Sequence, residues 1–220
     1  MKIHEIQKGS GKKLVMVFDG WGVSPEVFAT LRFPADADVW VLYDYRSLDM
    51  PESYSSFEEI HIVAWSLGVW VATFLRNRFS HVVSTTAICG TPFPIHDVWG
   101  IPVDIFVGTL KNMTPDGFRR FDRRMCGDRA TLEKYMMLPS VSVTGKAEEL
   151  QFLYGEIMSV EFSVEKVSDF WQRAIVSDAD RIFPSANQLA YWQGRAEVLE
   201  TDAPHIPFYS PLFLTTLWGM

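Results

Sequence analysis

The chain has 220 residues, 48% of them hydrophobic, and a formal net charge of −7. That length supports one substantial α/β core with a small insertion, so residues 1–220 read as a single domain, and the acidic balance without a long basic stripe excludes general nucleic-acid binding. Cys89 and Cys126 stand far apart with no Cys-x-x-Cys pair, the segment Met1 to Lys13 is polar, and apolar Phe208–Met220 is short and broken by Pro211, which together predict a cytoplasmic, non-membrane protein without zinc or disulfides.

The first predicted strand, Leu14–Phe18, runs into Asp19-Gly20-Trp21-Gly22. The two glycines free this loop to turn the Trp21 backbone N–H toward a site beyond the strand, as one donor of an oxyanion hole. A nucleotide site is disfavoured, because neither Gly-x-Gly-x-x-Gly nor Gly-Lys-Ser/Thr is present. Strands are expected next at Val39–Tyr43 and Ile60–Ala64, the second leading into Ala64-Trp65-Ser66-Leu67-Gly68. A serine between small residues, where a β-branched run becomes an amphipathic helix, has the pattern of a nucleophile elbow, and the Leu67 N–H at the helix start would be the second oxyanion donor. An ordinary strand-to-helix turn is the bland alternative. The helix is predicted over Leu67–Phe79, closed by Arg76 and Arg78, where cations complement the helix dipole.

A strand at Val83–Ile88 follows, and then the alternation breaks. Helical patterns at Thr114–Cys126, Thr131–Met137, Ala147–Met158 and Val164–Trp171 suggest a helical lid inserted over about residues 111–170, or else helices that merely cover the sheet. Within it, helical spacing places Arg119 above Arg123 and Arg120 above Arg124. The arginines form a dock for an acidic partner or a phosphate, or a solvated face paired with Asp116, Asp122 and Asp128. The chain resumes with a strand at Arg173–Val176, the loop Ser177–Pro184, a helix to about Trp192 stopped by Gly194, and a last strand at Ala196–Leu199. Strands alternating with helices predict a mostly parallel sheet flanked by helices, with functional residues beyond the strands' carboxyl ends.

Three such ends carry chemistry. Ser66 needs a base, and His205, in the loop after the last strand, is preferred over His4, His61, His81 and His96, which have surface or core explanations. Asp178 and Asp180 both follow a strand, and Asp180 is chosen as the acid because Asp-x-x-x-Pro resembles the acid loop of α/β-hydrolases; Asp178 remains a turn- or cap-forming alternative. The order serine, acid, histidine is that of the α/β-hydrolases. No metal or organic cofactor is required by this set. Cys89 is a remote alternative nucleophile, since it opens no helix.

The ordered motifs Asp19-Gly20-Trp21-Gly22, Trp65-Ser66-Leu67-Gly68, Gly100-Ile101-Pro102, Phe121-Asp122-Arg123-Arg124-Met125-Cys126-Gly127, Asp180-Arg181-Ile182-Phe183-Pro184 and Pro204-His205 resemble those of the BioG family over nearly the whole chain. The resemblance implies an α/β-hydrolase that removes the methyl ester from a pimeloyl group held on acyl carrier protein in biotin synthesis. In it Ser66, His205 and Asp180 are catalytic, Trp21 and Leu67 form the oxyanion hole, and Arg119, Arg123 and Arg124 are inferred to meet the acidic carrier. Asp19 stands where other α/β-hydrolases frequently have histidine, and Ala64 where glycine is frequent. A general short-chain esterase or thioesterase, and a non-catalytic carrier-binding protein on a hydrolase scaffold, are the competing readings.

Overall fold

The computed structural model describes residues 1–50, 52–211 and 213. Seven strands, β1 (Lys2–Gln7), β2 (Lys13–Phe18), β3 (Ala37–Tyr43), β4 (Glu59–Trp65), β5 (Val82–Ile88), β6 (Arg173–Ser177) and β7 (Glu197–Thr201), form one sheet in the order β1-β3-β2-β4-β5-β6-β7. All neighbours pair in parallel except β1, which runs antiparallel to β3 at the edge. The expected mostly parallel sheet is therefore present, with an edge strand the sequence analysis did not place. β2 is buried from Leu14 to Phe18, as a strand covered on both faces must be, and this continuous apolar run made it legible. β1 has no fully buried residue and reads as polar, so its position comes from pairing with β3 rather than from its own pattern.

Helix α1 (Leu67–Leu75) follows β4, with Arg76–Arg78 continuing as a 3₁₀ turn, and α7 (Ser185–Trp192) joins β6 to β7. Between β5 and β6 lie α2 (Val103–Lys111), α3 (Pro115–Cys126), α4 (Arg129–Met136), α5 (Val143–Ser159) and α6 (Val164–Ser168). The helical stretch thus begins at Val103 rather than near Lys111; α2 carries Val103, Ile105, Val107 and Gly108, whose low helix propensity hid it. The limits of α3, α4 and α5 follow local chemistry. Thr114, Asp128 and Ser142 cap their N-termini through side-chain oxygens that accept the N–H of Gly117, Thr131 and Gly145. Gly127, at φ 73°, ends α3 in the left-handed region, where a side chain would be strained.

The core lies on both sides of the sheet and is rich in aromatic rings, Trp65, Trp70, Trp192, Phe18, Phe28 and Phe183 among them. Cys89 and Cys126 are free and buried. Among the described residues no helix is long and apolar enough to cross a membrane. Most of the apolar run Phe208–Met220 lies outside the described residues.

Candidate active site

Ser66 follows the last residue of β4 and precedes the first of α1, and its backbone is held at φ 56°, ψ −124°. A non-glycine residue in this region is strained and persists only where packing over-determines it. Two clamps do so here: the Ser66 N–H donates to the carbonyl of Ile88 on β5 at 2.9 Å, and Val69 N–H closes on the Ser66 carbonyl at 3.1 Å. Close packing around the turn demands Gly68, where a Cβ would lie 2.4 Å from the Asp19 carbonyl oxygen and 2.5 Å from that of Phe18. Gly68→Ala should therefore lower stability by about 1–3 kcal/mol, read as a fall in the urea midpoint. An unchanged midpoint would show that the elbow has room to relax.

The loops after β4, β6 and β7 bring together three side chains widely separated in the chain. His205 Nε2 lies 2.9 Å from Ser66 Oγ, and His205 Nδ1 lies 2.7 Å from Asp180 Oδ2. The other Asp180 oxygen, Oδ1, accepts the N–H groups of Ile182 and Phe183, both at 2.8 Å, and Gln188 Nε2 donates to Oδ2 at 3.1 Å. This carboxylate is thus oriented from four sides. His205 is placed by its neighbours: its carbonyl accepts the Trp65 indole N–H at 2.8 Å, and its ring lies 5.4 Å from that of Trp65. The tryptophan beside the serine consequently sets the height of the imidazole above it. An imidazole between a hydroxyl and a carboxylate can take the hydroxyl proton while the carboxylate stabilises the resulting charge.

Asp178 is exposed, and it is Asp180 that meets the imidazole. His61 bonds Ser84 Oγ, His81 faces the Phe57 carbonyl, and His96 Nδ1 accepts the N–H groups of Val98 and Trp99. Each of those histidines is occupied structurally. The Cys89 thiol contacts Ser177 Oγ at 3.1 Å, and burial pushes its pKa up, which keeps it protonated. Cys89, Asp180 and His205 have potential ligand atoms within 4.8 Å of one another. Their donors are already engaged in hydrogen bonds, and a protonated thiol is a poor metal ligand, so the chemistry of the set suits a proton relay better than a metal.

A narrow cleft opens over Ser66 and His205, walled by Trp21, Ile101, Phe106, Phe121, Leu150 and Ile182. Trp21 and Leu67 also line it, and among the described residues neither backbone N–H has an acceptor, which leaves both for a ligand oxygen. Arg124 stands where the cleft adjoins a second groove that also includes Arg120, and it donates to the Arg181 carbonyl at 3.0 Å. Arg119 pairs with Asp116 and borders a different groove, beside α4 and α5, while Arg123 is exposed on α3 outside the cleft. The three selected arginines therefore do not converge on one point. Arg120, which helical spacing placed one turn before Arg124, shares the second groove with it.

The helices of the insertion also brace the loops beneath them. The α3 end touches the histidine loop, where Ile206 N–H donates to the Met125 carbonyl at 3.3 Å and Gly127 packs against Pro204. On the other side, α5 holds the loop after β2: the Trp21 indole N–H donates to the Lys146 carbonyl at 2.7 Å, and Glu149 accepts the Gly22 N–H at 3.1 Å. Gln188, Trp65 and Glu149 are the site residues that sequence reasoning missed.

Compared with known proteins, residues 1–217 match the model of a family described as pimeloyl-ACP methyl esterase BioG. The chain is similar to the crystal structure of BioG from Haemophilus influenzae, at 36% identity over 94% of this chain and 95% of that one, with a TM-score of 0.88. It is 36% identical over 201 residues to a malonyl-[acyl-carrier protein] O-methyltransferase of Bacteroides fragilis, covering 88% of this chain but 39% of that protein. A lipase-esterase related protein from Clostridium acetobutylicum shares only 12% identity, yet superposes over 99% of this chain and 98% of its own with a TM-score of 0.72. The fold is that of the α/β-hydrolases.

Proposed function

We propose, on the premise that the chain belongs to the BioG family of pimeloyl-ACP methyl esterases, that this ester hydrolase removes the methyl group from pimeloyl-acyl carrier protein methyl ester. Ser66 Oγ attacks the ester carbonyl while His205 Nε2 takes its proton, and Asp180 stabilises the imidazolium. The Trp21 and Leu67 N–H groups receive the oxyanion. Collapse of the tetrahedral adduct breaks the bond to methoxide, which leaves as methanol with the proton from His205. Water, deprotonated by the same imidazole, then attacks the acyl-enzyme and releases the free carboxylate and Ser66. No metal or organic cofactor takes part in these steps.

The observation that carries this reading is the unbroken hydrogen-bonded series Ser66–His205–Asp180 at the floor of an apolar cleft. An apolar wall suits a dicarboxylic acyl chain whose far carboxylate is masked as its methyl ester, because a free carboxylate would lose its hydration there. The other end of the chain leaves past Arg124, toward a carrier whose phosphopantetheine arm bears a phosphate and whose surface is acidic. Arg119, Arg123 and Arg124 are assigned to that partner, with Arg119 and Arg123 contributing at longer range.

Changing Arg119, Arg123 and Arg124 together to glutamate should lower kcat/KM for the carrier-bound ester by about 10- to 100-fold at low salt, while leaving hydrolysis of p-nitrophenyl butyrate near the parent rate. The small ester reports on folding, since Arg124 also supports the acid loop through Arg181. Equal losses on both substrates would point to damage to the acid loop instead, and unchanged turnover of the carrier-bound ester would remove the carrier assignment. In a direct comparison, wild-type protein should prefer the carrier-bound methyl ester to free dimethyl pimelate, and no preference would favour a general esterase.

A further inference from the structure

Glu149 is an acidic residue on a helix outside the sheet, yet it is only 4% exposed and, among the described residues, faces no basic side chain at bonding distance. Its two oxygens are spent on backbone. Oε2 accepts the Gly22 N–H at 3.1 Å, and Oε1 accepts the Tyr45 N–H at 2.9 Å. Tyr45 in turn donates its hydroxyl to the carbonyl of Asp19, at 2.9 Å. One helical turn before Glu149, the Lys146 carbonyl takes the Trp21 indole N–H. The loop from Asp19 to Gly22 is thus tied down on both sides of the Trp21 backbone N–H, the one group in it that points to no protein acceptor among the described residues.

Resting on the oxyanion role given to Trp21 above, we propose that Glu149 is a positioning residue: its carboxylate holds the Trp21 N–H in register with Ser66, so the oxyanion loop is competent only when α5 is docked and Glu149 is ionised. An ionised carboxylate has the lone pairs to accept both N–H groups symmetrically, whereas a neutral one places a donor against one of them. Small displacements of such a donor matter, because removal of one costs about 10²–10³ in rate.

The groups that act on Glu149 come from several elements. Asp19 lies below it in the same loop system, Asp44 and Arg46 follow β3 on either side of Tyr45, and the Met1 amino group approaches from β1. On α5 itself, Glu148 is engaged by Arg46 at 2.8 Å and Lys146 is paired with Asp122 at 3.6 Å. Burial pushes Glu149 up to about 7 against the two backbone hydrogen bonds that favour its ionised form, and the nearby Asp44 adds to the rise. Asp19 is pushed well above the carboxylate range by its own burial, and one of its oxygens has no partner among the described residues. Ionisation of Glu149 near neutrality has two opposite consequences. Since its folded-state pKa lies above its unfolded value of 4.5, its contribution to stability is greatest below that value and is lost as pH rises through about 7. Activity rises over the same interval.

The test uses the full chain with Glu149→Gln and Glu149→Ala, assayed on p-nitrophenyl butyrate across roughly pH 6–9. At the pH plateau the glutamine variant should lose about 10-fold and the alanine variant about 100-fold in kcat, with KM little changed, because the oxyanion is bound only in the transition state. The wild-type acid limb should be steeper than one ionisation allows, and Glu149→Gln should reduce it to a single ionisation. Its unfolding midpoint should also fall less between acid and alkaline pH than that of the wild type, the residual slope belonging to the other buried groups that burial pushes up, Asp19 and Asp122 among them. Exhaustive fluorophosphonate labelling of Ser66 measures the folded fraction of each variant. An unchanged kcat and limb would overturn the proposal, as would a kcat loss that merely tracks a loss of labelable protein. Ser66→Ala, assayed alongside, separates this from the underlying reading: full activity in that variant defeats the hydrolase mechanism itself, whereas an inert Ser66→Ala with an unaffected Glu149→Gln defeats only the positioning role.

Discussion

Ser66→Ala should reduce ester hydrolysis by about 10⁴–10⁶-fold in kcat and abolish labelling by a fluorophosphonate. The expected size follows from what the substitution removes. Alanine deletes the attacking oxygen, so the acyl-enzyme cannot form, and the remaining rate comes from water held near His205 with the Trp21 and Leu67 N–H groups still in place. The fold should survive, because among the described residues Ser66 Oγ bonds only His205 and the strained backbone at φ 56° is held by main-chain contacts to Ile88 and Val69. Wild-type turnover by this variant, measured after confirming an unchanged unfolding midpoint, would remove Ser66 from the mechanism. Mass mapping of the phosphonylated peptide gives a second reading, and labelling at Cys89 instead would move the nucleophile to the thiol.

Asp180→Asn should cost about 10⁴-fold in kcat, while Asp178→Asn leaves it within about twofold, as expected for an exposed site away from the relay. Two backbone donors, Ile182 N–H and Phe183 N–H, converge on Asp180 Oδ1. An asparagine must turn its amide oxygen toward them to satisfy both, which aims its NH₂ group at His205 Nδ1. That nitrogen then has to accept, the ring proton moves to Nε2, and Nε2 presents a donor to Ser66 Oγ instead of the lone pair that proton removal needs. Charge is lost as well, so the imidazolium has no counter-ion. Restoration of activity at high pH, where hydroxide serves as the base, is the signature of a tautomer fault rather than a collapsed loop. A large loss in Asp178→Asn beside a small one in Asp180→Asn would return the acid role to Asp178, and small effects of both would dispense with it.

The helices between β5 and β6 do more in this molecule than roof a cleft. Their α3 end contacts the loops that carry His205 and Asp180, through Met125, Gly127 and Arg124, and α5 holds the loop that carries Trp21. Changes in these helices therefore reach the loops of His205, Asp180 and Trp21 as well as the cleft wall, which is why the carrier test above needs a small-ester control.

Local rules made much of this protein legible from its residues alone. The apolar runs of β2, β4 and β6 declared a buried parallel sheet, because a strand covered on both faces is dominated by apolar side chains. Ala64-Trp65-Ser66-Leu67-Gly68 declared the turn, because only small flanking residues allow strand and helix to approach so closely. Gly127 marked the end of α3, whereas Asp128 and Ser142 cap α4 and α5 ahead of the expected starts at Thr131 and Ala147. The candidate serine, acid and histidine could be chosen by their order at strand ends. What depended on the tertiary structure was everything set by distant segments: β1 is a strand because β3 offers it an edge, and α2 forms despite β-branched residues and a glycine because it packs over the cleft. Arg124 and Arg119 differ in environment only through what α3 faces on each side. Glu149 shows the reason most sharply. In the sequence it is one more acid on an amphipathic helix, ordinarily a solvated residue; the backbone N–H groups that bury and orient it belong to Gly22 and Tyr45, more than a hundred residues earlier, and no local pattern encodes a contact whose two halves meet only after the sheet has assembled.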